Sequence, residues 1–425
     1  MSQAPEVKVG ASEADAIRNR MFGAGLVDDP YPTYHRLITE GPVLPGGIND
    51  QFAEMGEFRM PGAQGTAISV HSHEACVHAL RRADVYSSSS YDQGLRFVIG
   101  HSIIGMDEPE HRRMRLLLQP AFTKSEMERW KTEIILPIVD EHLDRIVGRG
   151  RADLYEEIAP AVPIHTISAA LGLPTADRRQ FFEWAVGMTS MGAGPEARLD
   201  ASKAVGEYVA PLIAARREQP GDDLITILVE ATVPPDEDLG DLEPRPLDDD
   251  EITTFVRLLI IAGAGTTYRA YGNLMFFLLT HPEQFAAVRD DRALVPAAIE
   301  ESLRIEQPLA QILRVATEES DLRGVPIPAG CSVQLNVGAA NHDAAQWQNP
   351  EEFDIFRERP DRHLSFGFGI HRCLGIHLAR AELDVLLNRT IDRLPNLRLD
   401  PQGAGDVHMT GLGFRMVTAL PVLFD

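Results

Sequence analysis

The ten residues FGFGIHRCLG (Phe366–Gly375) set one cysteine, one histidine and one arginine among three glycines, and His377 follows two positions on. Sulfur and imidazole at this spacing could ligate a metal, because His371, Cys373 and His377 fall within seven residues. A lone cysteine can equally be a small buried hydrophobe. Structural zinc asks for four ligands, usually with a second clustered pair, and neither Cys76 nor Cys331 has such neighbours. Zinc also leaves the glycines unexplained. Gly367 and Gly369 remove side chains where the backbone would approach a flat ligand. Leu374, Leu378, Ala381 and Val385 then recur at helical spacing, which puts Cys373 at a helix N-terminus, where the dipole and free N–H groups favour thiolate. A haem thiolate accounts for these features together. Its porphyrin lies flat on the hairpin, its iron takes one axial sulfur, and its propionates ask for arginine and histidine from other segments.

Other segments carry weaker signals. His111 and Arg115 stand at i and i+4 in EHRRMR and share one helix face, a cationic stripe suited to an anion or simply to solvent. Glu301 and Arg304 in EESLR are neighbours on a helix. Between Glu251 and Thr280 an apolar helical pattern is interrupted by AGAGTTYR (Ala262–Arg269). Gly263 and Gly265 each cost about 1 kcal/mol relative to alanine in a helix interior. Thr266 and Thr267 can bond back to helix carbonyls. Such local penalties mark a functional site; close packing through small residues is the alternative.

The elements that must position these groups follow from patterning. The acidic, proline-rich run Pro234–Glu251 reads as a loop that launches the next helix rather than as a linker, since Asp248 stands three residues before Glu251 in a capping box. GTAISVHS (Gly65–Ser72) alternates as a strand and leads into the helical HEACVHALRRA. Leu313–Asn341 is strand-like, with GVPIPAG supplying turns. A net charge of −23 over 425 residues argues against nucleic acid as a partner. The longest apolar stretch, VRLLIIAGAG, falls far short of the roughly 20 residues a membrane span needs. The N-terminus lacks the apolar core of a secretory signal, and three scattered cysteines make no disulfide framework. A cytoplasmic protein without a membrane partner is expected. The length alone would suggest two or three domains.

Four motifs in one order, AGAGTT, EESLR, PEEFDIFR and FGFGIHRCLG followed by HLARAE, resemble the bacterial soluble cytochrome P-450 family over nearly the whole chain. DDPYPTYHRLITEGPV and MDEPEHRRMRLLLQPAF resemble the same branch. The resemblance implies a mainly α fold with a smaller β portion, in one triangular domain spanning 1–425, with a candidate disordered tail of about 20 N-terminal residues. It implies haem b held by Cys373 as the iron ligand, with His111, Arg115, Arg314 and His371 at the propionates and Phe366, Gly367 and Gly375 in the cradle. Glu301, Arg304 and Arg357 match a structural charge triad. The implied reaction inserts one oxygen atom from O2 into a hydrophobic substrate. A separate ferredoxin and ferredoxin reductase would bring electrons from NAD(P)H to a monomeric enzyme. Leu258, Ile261, Ala262, Ala310 and Leu412 would line the substrate pocket, Arg96 could greet a carboxylate, and Arg112 and Arg372 could dock the acidic electron donor.

One position departs from the family pattern. Thr266 matches the threonine that organises distal water, yet the residue before it, usually an acid, is Gly265. Proton delivery then runs through water or another acid, and Gly265→Glu is expected to raise coupling. The vacated acid also keeps open a peroxide-driven or a non-oxygenating haem-thiolate enzyme. A haem-based sensor or binding protein is the remaining alternative.

Overall fold

A computed structural model describes residues 27–55, 66–189, 194–239, 243–403, 405 and 407–425. The expected N-terminal tail lies outside the described residues. Helices carry most of the chain. Those that concern the site are α1 (His73–Arg81), α2 (Ser89–Ile99), α3 (Glu110–Leu118), α4 (Ala161–Ala170), α5 (Asp249–Thr280), α6 (Val295–Ile305) and α7 (Ile376–Arg393).

The acidic run does launch a helix. Asp248 Oδ1 accepts from the Glu251 N–H at 2.8 Å, and Glu251 Oε2 accepts from the Asp248 N–H at 2.9 Å, closing the capping box. Arg245 then forks onto both Glu251 oxygens at 2.7 and 2.8 Å. From this start α5 runs 32 residues, about 48 Å at 1.5 Å per residue. It crosses the main hydrophobic core against α4, α6 and α7. Its near-uniform apolar character follows, since a helix packed on several sides has few positions left for water.

Five strands form the principal sheet: β1 (Val43–Pro45), β2 (Ala67–Val70), β3 (Tyr86–Ser87), β4 (Gln311–Ala316) and β5 (Ser332–Asn336), in the order β1-β2-β5-β4-β3. Only β2 and β5 run parallel, with Val333 opposite Ile68; β4 pairs antiparallel with β5, with Arg314 opposite Val333. The strand-like stretch after Leu313 contains a tight hairpin at Arg323 and Gly324, both with positive φ. It ends in a short helix, Val337–Ala340, where the Asn336 side chain accepts the Ala339 N–H. A cap won over β propensity there.

Two acids on α6 fix the chain downstream of that helix. Glu301 and Arg304 are fully buried, with Arg304 Nη2 at 2.8 Å and Nε at 2.9 Å from the two carboxylate oxygens. Arg357 Nε reaches both oxygens at 3.0 Å. Arg304 also donates to the carbonyls of Asn341, Pro350 and Glu352, and Arg357 to those of Gln348, Asn349 and Glu352. Asn341 carries the connection onward: its Oδ1 accepts the Leu364 N–H at 2.8 Å and its Nδ2 donates to Ser365 Oγ at 3.0 Å. Neighbouring Glu300 lies 2.6 Å from Arg380 and 3.3 Å from His363. Burial would raise its pKa, but His363 and Arg380 hold its carboxyl at about 2.

A second buried ion pair has no counterpart in the sequence reading. Arg415 Nε lies 2.5 Å from Glu306 Oε1, and Tyr31 donates to Glu306 Oε2 at 2.8 Å. Arg415 Nη1 donates to the carbonyls of Gly411, Asp28 and Val27, drawing the two ends of the described chain together.

Breaking one partner of a buried ionic network leaves uncompensated charge and costs about 3–5 kcal/mol. Glu301→Gln keeps the size and removes the charge two arginines share. It is expected to lower unfolding stability by about that amount, read as a shifted midpoint in urea denaturation.

Candidate active site

The cysteine hairpin is built on backbone conformations that side chains resist. Gly367 has φ +67° and Gly369 φ +74°, the left-handed region where glycine is the default. Cys373 N–H donates to the Phe366 carbonyl at 2.8 Å, closing the hairpin. The two glycines serve different neighbours. At Gly367 an added Cβ would meet nothing closer than 3.7 Å, and at Gly375 nothing within 4 Å. At Gly369 it would lie 2.2 Å from the Leu80 carbonyl oxygen at the end of α1. The flat-ligand expectation for Gly369 is therefore corrected: that glycine is required by helix–hairpin packing.

Phe366 is held from α7 and from the loop before it. Its ring lies 5.1 Å from the Arg380 guanidinium and 5.7 Å from the His363 ring, the two groups that Glu300 fixes. Cys373 keeps accessible surface, yet protein surrounds it closely enough for desolvation to raise its thiol pKa. That combination belongs to a group lining an internal space. The Gly375 N–H and the charges of Arg115, Arg372 and Arg380 pull the other way, without prevailing. For the free thiol, burial outweighs the Gly375 N–H and the three guanidiniums. Among the described residues no three His, Cys, Asp or Glu side chains converge to hold a metal ion.

Four basic residues from α3, β4 and the hairpin do converge. The His111 and His371 rings lie 4.0 Å apart, and the Nε2 atom of each is enclosed without a hydrogen-bond partner. Arg115 Nη2 donates to the Arg372 carbonyl at 2.6 Å, and Arg314, on β4, is buried with Nη1 donating to the Leu313 carbonyl. Desolvation lowers the pKa of all four; His371 falls to about 2, with His111, Arg314 and Arg115 adding repulsion. Enclosed ring nitrogens without partners, beside two guanidiniums, suit an anionic ligand. Haem propionates fit that need, the open backbone at Gly367 and Gly375 fits a flat ring, and the accessible Cys373 sulfur fits an iron.

On α5, Thr266 Oγ1 donates to the Ala262 carbonyl at 3.0 Å, the back-bond that its type allows. Gly263 packs against α4, where an added Cβ would meet Ile167 at 3.3 Å. Gly265 does not pack: the only neighbour of an added Cβ would be Arg269 Nη1, at 3.1 Å. Ala262 is exposed and Ile261, Gly265 and Thr266 are half-buried, although α5 crosses the core. Three other expected pocket residues are buried. Leu258 is buried in the main core, Ala310 is enclosed with its N–H donating to the Gly413 carbonyl, and Leu412 packs in a cluster with Val27, Tyr34, Ile48 and Phe52. Arg96 is paired with Asp92 at 2.9 Å and is not a free cation. A cavity of about 530 Å³ lies elsewhere, lined by His101, Glu110, Arg113, Arg245, Glu251 and Arg257 among others.

The family model for cytochrome P450 matches residues 196–414, across α5, α6 and the cysteine hairpin. The chain belongs to the cytochrome P450 family. It is 33% identical to the biotin biosynthesis cytochrome P450 of Bacillus subtilis over 94% of this chain and 97% of that one. Against cytochrome P450 107B1 of Saccharopolyspora erythraea the identity is 40%, covering 71% and 72%. A crystal structure of P450BioI with an acyl carrier protein ligated to hexadec-9Z-enoic acid superposes with a TM-score of 0.79 at 29% identity, covering 93% of this chain and 99% of that one. Substrate-free CYP109E1 from Bacillus megaterium gives 0.81 at 28%, with the same coverage. As a cytochrome P450 the chain is an oxidoreductase of the haem-thiolate monooxygenase class. Among the described residues no helix is long and apolar enough to cross a membrane.

One buried acid of this P450 escaped the sequence reading. Glu382 on α7 is buried, its Oε1 lacks a hydrogen bond, and Thr166 and Thr267 are its polar neighbours. Desolvation pushes its carboxyl up to about 8. It falls four residues after Leu378 and one after Ala381, on the apolar face of α7, and an acid on such a face is a signal legible in sequence. A carboxyl whose folded pKa is raised contributes stability below its unfolded value, and loses it as pH rises through the folded one. Glu382→Gln is therefore expected to flatten the decline in unfolding free energy between about pH 4.5 and pH 8, measured by urea denaturation across that range.

Proposed function

We propose that the chain, acting as one domain and a monomer in the cytoplasm, inserts one oxygen atom from O2 into an apolar organic substrate, with haem b held through Cys373. The observation that carries the proposal is the convergence of His111, Arg115, Arg314 and His371 beside an accessible cysteine, with two enclosed imidazole nitrogens that have no hydrogen-bond partner. These four groups would take the propionates, while Phe366, Gly367 and Gly375 back the ring. When bound, the haem supplies an iron that activates O2, and the thiolate sulfur donates electron density to it. A positive ion at the sulfur is also what keeps a buried thiol deprotonated.

Thr266 is the distal group of this chain suited to holding water and passing protons: its hydroxyl keeps a lone pair free while it donates to Ala262. Ala262 and Ile261 offer the apolar surface on which a substrate would rest. Electrons would arrive from NAD(P)H through a ferredoxin reductase and a ferredoxin. Arg112 and Arg372 are exposed and, among the described residues, form no ion pair, and Lys124 lies near His377 on the same side. A basic patch on a chain of net charge −23 would orient an acidic partner and set its salt dependence.

Gly265 favours a second reading, in which hydrogen peroxide serves as the oxidant, because no carboxylate is present at that turn to bring protons from solvent. Under the first reading Gly265→Glu raises the fraction of electrons recovered in oxygenated product and lowers peroxide release. Equal coupling in both proteins would exclude it, and better peroxide-driven turnover in the native chain than in the variant would favour the second.

The haem assignment is tested at the sulfur. The reduced carbon-monoxide complex of the native protein is expected to show the red-shifted Soret band of thiolate ligation. In Cys373→Ser that band should disappear, with absorbance moving to the position of a non-thiolate haem or no haem retained. A native protein without the band would overturn the assignment.

A further inference from the structure

The Gly265 turn is occupied by a cation. Arg269 stands one turn further along α5, and with Ala262, Gly265 and Thr266 it follows the i, i+3, i+4, i+7 spacing of a single helix face. All four keep accessible surface where most of the neighbouring helix is buried. Arg269 Nη1 donates to the Gly265 carbonyl, and the absence of a side chain at 265 is what lets the guanidinium lie so close. Its plane is bracketed by two rings, with Tyr268 at 4.6 Å and Phe414 at 4.7 Å from its central carbon. Phe414 in turn bridges to Leu309 just before β4, so the box is closed by backbone pairing.

What the box lacks is an anion. Among the described residues Arg269 has no ion-pair partner; its Nε is enclosed without a hydrogen bond, and Nη2 makes none either. Aromatic faces attract a cation but do not neutralise it. Two other half-buried arginines of this chain, Arg380 and Arg216, are matched with acids. A guanidinium stays protonated throughout the accessible pH range, so it cannot replace the missing acid as a proton carrier. Fixing a negative group is the work its chemistry leaves.

We propose that Arg269 binds the carboxylate of the substrate, so that the compound oxidised is an apolar molecule bearing an acid, held with its charged end at the guanidinium N–H groups that Tyr268 and Phe414 position. The inference rests on the proposed monooxygenase function, in which this face of α5 borders the space beside the haem. It also gives Gly265 a purpose: an acid there would stand at i to the arginine at i+4 and claim the charge.

The test uses haem-loaded protein and a series of ω-(imidazol-1-yl)alkanoic acids of graded chain length, each paired with its methyl ester. Imidazole reports binding through the Soret shift whatever the natural substrate. At one chain length the acid is expected to bind about tenfold tighter than its ester, the ratio a charge-assisted hydrogen bond supplies. Arg269→Gln should abolish that ratio and Arg269→Lys should keep part of it. Gly265→Glu should abolish it with Arg269 still in place, which carries the test if Arg269→Gln does not fold. Acids no tighter than esters at every length, or a preference that survives Arg269→Gln, would overturn the proposal. A native protein whose Soret band none of the ligands moves would instead remove the haem reading beneath it.

Discussion

The carboxylate of Glu301 sits fully buried between two guanidiniums, and the placement of the cysteine hairpin descends from that contact. Arg304 and Arg357 spend their remaining donors on five carbonyls between residues 341 and 352. Asn341, pinned among them, passes the constraint to Leu364 and Ser365. Glu300, the residue before, reaches the other way to Arg380 and His363, which flank Phe366. Adjacent acids on α6 therefore hold the hairpin from both sides. Buried ion pairs are not in general a source of net stability. What this one supplies is position, since an apolar triad of the same volume could not bond to five particular carbonyls.

Electrostatics at the hairpin obey one rule with opposite signs. Low polarity around the site raises the Cys373 thiol and lowers His111, His371, Arg115 and Arg314. Every group there is pushed toward its neutral form. Such a site is poorly suited to any one of its own charges alone, and well suited to a ligand that brings a cation to the sulfur and anions to the bases.

Much of this was legible in the sequence because it is local. The capping box at Asp248, the helical spacing behind Cys373 and the i, i+3 pair Glu301–Arg304 each lie within one or two turns. Glycines were harder. Gly263 and Gly265 look alike in sequence, yet one packs on Ile167 and the other meets only Arg269. Gly369 answers to Leu80, almost 300 residues earlier. Ala310 and Leu412 were placed by analogy of position, since no spacing rule ties either to the Thr266 face of α5. Arg357 joined its triad only through the resemblance, because no spacing rule connects it to Glu301. Glu382 was the one omission that pattern could have caught.

The bond between Glu306 and Arg415 spans 109 residues, and its partners enter the molecule at very different times. A ribosome makes the acid long before the arginine, so through late synthesis Glu306 has no cation to bury against. The segments around Val27, Tyr31 and Gly411 cannot settle until Arg415 has left the exit tunnel. Chains interrupted before that residue would keep this seam open.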